Sequence, residues 1–467
     1  MKSNLNRVSA FIIAAVGIVL CAYQFFDPFL WFDESGQLYI GLGLSHYADP
    51  FSARGVFRDV FGSNRNFNLD PGGFSVLVWF WTYVSTSVYF LRLLPFLFFA
   101  ASVFFLYKVL EQAGIGKGYT TFFMGVYLVF ASVLYLMTEF RAYSMELRGT
   151  LLTLWLFLKY SDRFDYRRLL TLSLVACFFC TSRYSFILTA FVLTLLVLFT
   201  LFRKESFRTF LAKSFVFGLP LAMTVVLVYL FMMRMQDASG TMEYVGFIGK
   251  RVSLLWSPLS FLFYLNVVLS VVWYRRHGKV PVIPVYALCV SLFFFALSVF
   301  SLFPWDFKRA VSVTLLNILS LMVYIDGFAK GFDRKGWVVC AMDAAVVAGA
   351  LIPILFMGLK GEAEGREFEA LDLSGYARVF VNYDCQPDVR YQYEFGRLRE
   401  RAAADGYPDK FVFQVEQTRA DDGSFDLRVL DPLDVDCDLY YHLSKPVDEA
   451  FTLLGDCRYF YRKTVGD

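Results

Sequence analysis

Two adjacent carboxylates, Asp33 and Glu34, follow a long apolar run in the order Leu30-Trp31-Phe32-Asp33-Glu34-Ser35. Basic groups stand at the ends of other apolar runs. Arg141 lies in Glu139-Phe140-Arg141-Ala142-Tyr143, with Glu146 and Arg148 close behind; Arg183 precedes Tyr184; Lys308 and Arg309 follow Asp306. A carboxylate can take the proton of an attacking hydroxyl. Guanidinium and ammonium groups can hold a phosphate and stabilise it as it departs. Together these are the groups needed to move a substituent off a phosphorylated carrier. Plainer uses compete with that reading. Asp33 and Glu34 suit the positive end of a helix, Glu139 and Arg141 suit a pair of interfacial anchors, and Arg183 suits a snorkelling side chain. Lys308 and Arg309 read equally as loop charges, and Asp70-Pro71 reads as a cap and first-turn proline ahead of the apolar stretch 74–90.

The elements that must position these residues are membrane spans. Of the 467 residues, 57% are hydrophobic and only 18% charged, against roughly 25% charged in soluble domains. Runs such as 8–26, 93–110 and 211–233 approach the roughly 20 apolar residues that cross a bilayer as a helix. Spans are expected at 8–26, 91–108, 119–138, 147–160, 168–183, 185–202, 211–233, 253–274, 281–303, 309–327 and 336–357. The first is read as an uncleaved span, because it leads into Phe25-Phe26-Asp27-Pro28 and not into a small-residue cleavage site.

Whether 74–90 also crosses decides the topology. If it lies at the interface, basic clusters such as Arg163-Arg167-Arg168, Arg203-Lys204-Arg208 and Arg275-Arg276-Lys279 all face the cytoplasm, as the positive-inside rule requires. Eleven spans then follow. The loop 27–90 and the tail 359–467 lie outside, on the face that also holds the carboxylates and cations above. The tail turns polar abruptly, with short strands expected at 376–383 and 410–415 and a charged helix at 391–404. Of eight cysteines, Cys21, Cys177, Cys180, Cys289 and Cys340 lie in apolar runs as small core residues. Cys385, Cys437 and Cys457 lie in the tail, where an oxidising compartment could join two. The expected bridge joins Cys385 to one of the other two. A formal net charge of +3, spread over many loops, does not indicate nucleic acid.

In order along residues 8–330, these segments resemble the GT-C superfamily of polyprenyl-phosphate-sugar glycosyltransferases. Its protein mannosyltransferases and lipid A aminoarabinose transferase are the most similar groups. Trp31-Phe32-Asp33-Glu34 is similar to the family's acidic signature in the first external loop. Asp70-Pro71-Gly72-Gly73 resembles its proline-led juxtamembrane helix, Leu91-Arg92-Leu93-Leu94-Pro95 its entry to the next span, and Glu139-Phe140-Arg141-Ala142-Tyr143-Ser144-Met145 its Glu-x-Arg-x-Tyr-Ser segment. Phe307-Lys308-Arg309 is similar to the basic, aromatic entry to a late span. Where Asp70-Pro71 stands, the family often has His-Pro or Lys-Pro.

The expected fold is an all-α polytopic membrane protein of about eleven spans plus juxtamembrane helices over 1–358, similar to GT-C, followed by a small extracytoplasmic α/β domain over 359–467 that the tail's own pattern indicates. The resemblance extends to roles. It implies Asp33 as base with Glu34 beside it, and Arg141, Lys308, Arg309 and Arg183 on the donor phosphate. Glu139, Tyr143 and Asp70 would support them. The partners would be a polyprenyl-phosphate sugar and a glycan, lipid or protein acceptor, in a bacterial inner membrane. No cofactor is assigned, and a divalent ion remains open, to which Asp33, Glu34 and His46 offer oxygen and nitrogen. A lipid-linked saccharide flippase, or an oligosaccharide polymerase or ligase, would use similar cations. A flippase would spread its charges through the bilayer, whereas these gather on one face.

Overall fold

The structure, a computed structural model, describes residues 15, 17–19, 21–27, 30, 32–44, 54–68, 70–133, 136–236, 254–300, 302–331, 372–382, 385–419, 425–432, 434–441, 451–453 and 460–463. Part of the expected first span, all of the expected last one, His46, His442, Cys340 and Cys457 lie outside these residues. The chain forms helices α1 (Phe32–Gly41), α2 (Phe57–Phe67), α3 (Gly73–Trp81), α4 (Val88–Gln112), α5 (Lys117–Val133), α6 (Tyr143–Tyr160), α7 (Tyr166–Cys180) and α8 (Tyr184–Lys204). After these come α9 (Phe207–Phe231), α10 (Pro258–His277), α11 (Val282–Val299) and α12 (Val311–Gly331). The tail adds β1 (Val379–Val381), α13 (Gln386–Glu394), β2 (Phe411–Phe413), β3 (Val415–Arg419), β4 (Phe425–Val429), β5 (Leu439–Tyr441), β6 (Phe451–Leu453) and β7 (Phe460–Lys463).

The chain divides into two compact units. The first, Met1–Gln24, Asn68–Phe74 and Leu93–Pro353, is helical over its described residues. Among the described residues, six helices are long and apolar enough to cross a membrane: Val88–Gln112, Tyr184–Lys204, Phe207–Met235, Pro258–His277, Val282–Val299 and Val311–Phe328. Large apolar side chains such as Phe199, Phe202, Phe215, Met223 and Leu230 stand exposed on them. In water that would waste apolar burial; in lipid it costs nothing. This is a membrane protein.

Three other expected spans form helices that fall short of that measure. α5 has 17 residues and α7 has 15 among the described residues, fewer than the roughly 20 usual for a crossing. α6 has 18 residues but carries Glu146, Arg148 and Lys159. The stretch 74–90 does not form one long helix. α3 is only 9 residues, about 14 Å long, and a turn at Thr82–Val84 separates it from α4.

Polar side chains tie the later spans together. Asn266 on α10 donates to Asn317 Oδ1 on α12 at 3.0 Å, and Asn317 donates to Ser291 on α11 at 2.6 Å. Ser320 donates back to Asn266 Oδ1 at 2.6 Å. All four are fully buried, so each pairing spares a polar group from apolar surroundings and selects one helix register.

The second unit, Phe25–Phe67, Ser75–Arg92 and Ile354–Asp467, joins the first loop to the tail. Its sheet runs β2-β1-β5-β7-β6, parallel around β1 and antiparallel beyond β5, with β3 and β4 as a separate hairpin. Alternation along β1 sends Val379 and Val381 into one core and Phe380 into another, as the two-residue strand period demands. The tail helix was expected at 391–404 but occupies Gln386–Glu394. Pro387 favours the first turn, and the chain leaves the helix at Phe395–Gly396, passing into a short 3₁₀ turn at Arg397–Arg401. Cys385 belongs to the Val379 core and Cys437 to the Phe380 core. The sheet lies between them, so the expected bridge is not made in its Cys385–Cys437 form, and Cys457 is outside the described residues.

Candidate functional site

In the helical unit, the first turns of α6, α8 and α12 converge on Glu146. Its carboxylate has no exposure and accepts from Ser312 Oγ at 2.6 Å, Ser185 Oγ at 2.7 Å and Arg183 Nη1 at 3.0 Å. Arg183, the residue capping α8, also reaches Asp70 Oδ1 at 3.5 Å, donates to the Arg309 carbonyl at 3.2 Å and lies 4.2 Å over the Tyr143 ring. Burial alone would lower the Arg183 pKa, but Tyr143, Glu146 and Asp70 together raise it, so the guanidinium remains charged.

The other face of Tyr143's surroundings is also cationic. Lys308 Nζ pairs with Glu139 Oε2 at 2.7 Å and lies 5.3 Å from the Tyr143 ring. Asp306 shapes that corner, because its Oδ1 accepts the backbone N–H groups of Lys308 at 3.0 Å and Arg309 at 2.7 Å. The turn therefore presents two cations just ahead of α12. Arg309 pairs more loosely with Asp306, at 3.6 Å. Helix N-termini carry partial positive charge, so three of them beside these cations make a region suited to an anion.

Asp70 reaches this cluster because its segment is pinned. Gln236 donates to the carbonyls of Asn68 at 2.8 Å and Asp70 at 3.1 Å, and accepts from Tyr184 at 2.6 Å. Gly73 N–H donates to the Thr181 carbonyl at 2.9 Å. A Cβ on Gly73 would lie 2.1 Å from Thr181 Oγ1 and 2.7 Å from its carbonyl oxygen. Gly73→Ala should therefore cost about 1–3 kcal/mol by overpacking. Thermal unfolding of the detergent-solubilised variant checks this, and an unchanged midpoint would show that the segment yields easily.

In the second unit, α1 carries Asp33 and Glu34 in its first turn. Successive helical residues point about 100° apart, so the two carboxylates do not act as one group. Glu34 turns inward to Arg92 at 3.1 Å, with side-chain exposures of 3% and 5%. Asp33 keeps partial exposure. The polar residues further along α1 are all engaged: Gln37 donates to Ser75 at 2.9 Å, Ser75 donates to Asn64 at 2.8 Å, and Tyr39 donates to Glu394 at 2.8 Å. Arg390 on α13, fully buried, lies 4.4 Å over the Tyr39 ring and 3.2 Å from Glu394. Burial pushes the Tyr39 hydroxyl well above the usual phenol range, Arg390 opposing and Glu394 adding to it, so it remains a donor.

Of the residues marked in the sequence, Glu139, Tyr143, Arg183, Lys308, Arg309 and Asp70 come together in the helical unit. Arg141 sits in the same turn, its N–H donating to the Glu139 carbonyl at 2.7 Å. Two plain readings change, since Arg183 does not snorkel but is held between two carboxylates, and Asp70 serves an ion pair in addition to preceding α3. Glu139 also gains Lys308 as a partner. Sequence reasoning left out Glu146 as a hub, and missed Gln236 and the Arg92 partner of Glu34. A glutamine at the end of a long apolar run was the signal for Gln236. Among the described residues no three His, Cys, Asp or Glu side chains group as a metal site would require. No family model and no curated protein matches this sequence.

Proposed function

We propose that this chain is an integral membrane glycosyltransferase of the GT-C type, taking a sugar from a polyprenyl-phosphate donor on the extracytoplasmic side of a bacterial inner membrane. The observation that carries the reading is the convergence of three helix N-termini on Glu146, with Arg183 and Lys308 beside the Tyr143 ring and Arg309 in the adjoining turn. Such a region favours a phosphate and grows more favourable as negative charge accumulates on it. Arg141, Lys308, Arg309 and Arg183 hold the donor phosphate, with Glu139, Tyr143 and Asp70 keeping them in place. Asp33 takes the proton of the acceptor hydroxyl, which attacks the anomeric carbon while the lipid phosphate leaves. Glu34, tied to Arg92, orients the helix that bears Asp33. Eleven spans, with the loop 27–90 and the tail outside, keep all these groups on the face where the donor arrives by lateral diffusion.

The test is a reconstitution. Purified protein in liposomes receives polyprenyl phosphate bearing a radiolabelled sugar, together with candidate glycan, lipid and protein acceptors. The expected result is label leaving the lipid for an acceptor. Label crossing the bilayer while still on its lipid would replace this reading with that of a flippase.

A further inference from the structure

We infer that Arg148 is a second anion site, separate from the Glu146 cluster, and that it binds the phosphate group of a lipid. Arg148 lies two residues beyond Glu146 on α6, which turns it roughly 200° around the helix and places it on the opposite face. There its guanidinium faces two rings, 5.4 Å from the centre of Phe98 on α4 and 6.0 Å from that of Phe179 on α7. The Phe179 ring is pressed onto the backbone of α6, since a Cβ on Gly149 would lie 2.6 Å from it.

Three cations packed inside this unit have carboxylates: Arg183 has Asp70 and Glu146, Lys308 has Glu139, and Lys213 has Glu205. Arg148 has none among the described residues, and its Nε is buried without a hydrogen-bond acceptor. A cation at membrane depth is retained where something compensates it. Two π faces do so in part, but five N–H donors in a planar fork match a phosphate far better.

Its position suits a lipid. Arg148 is five residues inside α6 from Tyr143, about 7–8 Å along the axis. In the proposed orientation that is the depth at which headgroup phosphate meets hydrocarbon. The depth rests on that orientation; the missing counter-charge does not. The phosphate comes either from the donor carrier or from a bulk phospholipid, and both present the same group to the same fork.

The experiment measures lipid binding by native mass spectrometry of the full-length, delipidated protein, titrated with polyprenyl phosphate, phosphatidylglycerol or diacylglycerol. Arg148→Gln should weaken at least one of the phosphate lipids about 10- to 100-fold, the range expected for losing a charge-assisted contact. Diacylglycerol binding should not change. Weakening of polyprenyl phosphate alone assigns the site to the carrier; equal weakening of both assigns it to headgroups. Unchanged phosphate-lipid binding by Arg148→Gln overturns the inference. Should that variant not fold, Arg148→Lys keeps the charge without the fork, and its binding should fall several-fold, with wild-type affinity again overturning the site. Phosphate-lipid binding without any sugar transfer would remove the transferase reading and leave this site standing.

Discussion

Replacing Arg183 with methionine is expected to destabilise the protein by about 3–5 kcal/mol, the cost of stranding one partner of a buried ion pair. Two carboxylates lose their cation at once. Glu146 would keep the hydroxyls of Ser185 and Ser312, but hydroxyls do not balance a charge in a medium that solvates it poorly, and the group would take up a proton instead. Asp70 would lose the guanidinium that holds it against the cluster. Thermal or denaturant unfolding in detergent reads the effect. The diagnostic comparison is Arg183→Met combined with Glu146→Gln, which removes charge from both sides and should recover part of the loss. Equal stability of wild type and Arg183→Met would mean that the cluster contributes nothing to the fold.

Asp33→Asn should lower sugar-transfer turnover by roughly 10²–10⁴-fold, the usual contribution of a positioned base, while donor binding stays close to normal. Asparagine is nearly the same size and cannot accept a proton. A purely structural Asp33 makes a different forecast. As a first-turn acid of α1 it would contribute only about 0.3–1 kcal/mol through the helix dipole, so the variant would transfer sugar normally and melt slightly earlier. Glu34→Gln separates the neighbours further. Because Glu34 is buried against Arg92, its loss should appear first in stability and only then in turnover. Near-normal turnover of Asp33→Asn on a verified donor would remove Asp33 as the base.

The apolar runs were legible because their period and length answer to one requirement, that a backbone in lipid satisfy itself. The placement of basic clusters on one side separated 74–90 from the spans, and the structure breaks that stretch at Thr82–Val84. Glu139, Tyr143, Lys308 and Arg309 were legible as a group because each stands at the end of an apolar run on one presumed face. Their partners were not. Asp70 and Arg183 are more than a hundred residues apart, and no local pattern says which carboxylate a cation will find. α1 was harder still. Its Ser35, Gln37 and Tyr39 look like a polar helix fit for solvent, yet all three are buried: Ser35 donates back to the Leu30 carbonyl, while Gln37 and Tyr39 find partners in distant segments. A polar residue reads as exposed until its partner is known.

The contact of Tyr39 with Glu394 and Arg390 sets an order of assembly. Tyr39 and Glu394 are 355 residues apart in the chain, so α1 is synthesised long before α13 exists. Closing so long a loop costs little more entropy than closing a shorter one, since the cost rises only with the logarithm of length; the delay comes from synthesis, which proceeds from the N-terminus. Until the tail has been made and delivered, the ring of Tyr39 has neither its carboxylate nor its guanidinium. A nascent chain halted before residue 386 would hold the Asp33 helix in an unfinished setting, open to proteolysis. The segment around Arg390 and Glu394 thus completes the packing of the helix that bears the proposed base.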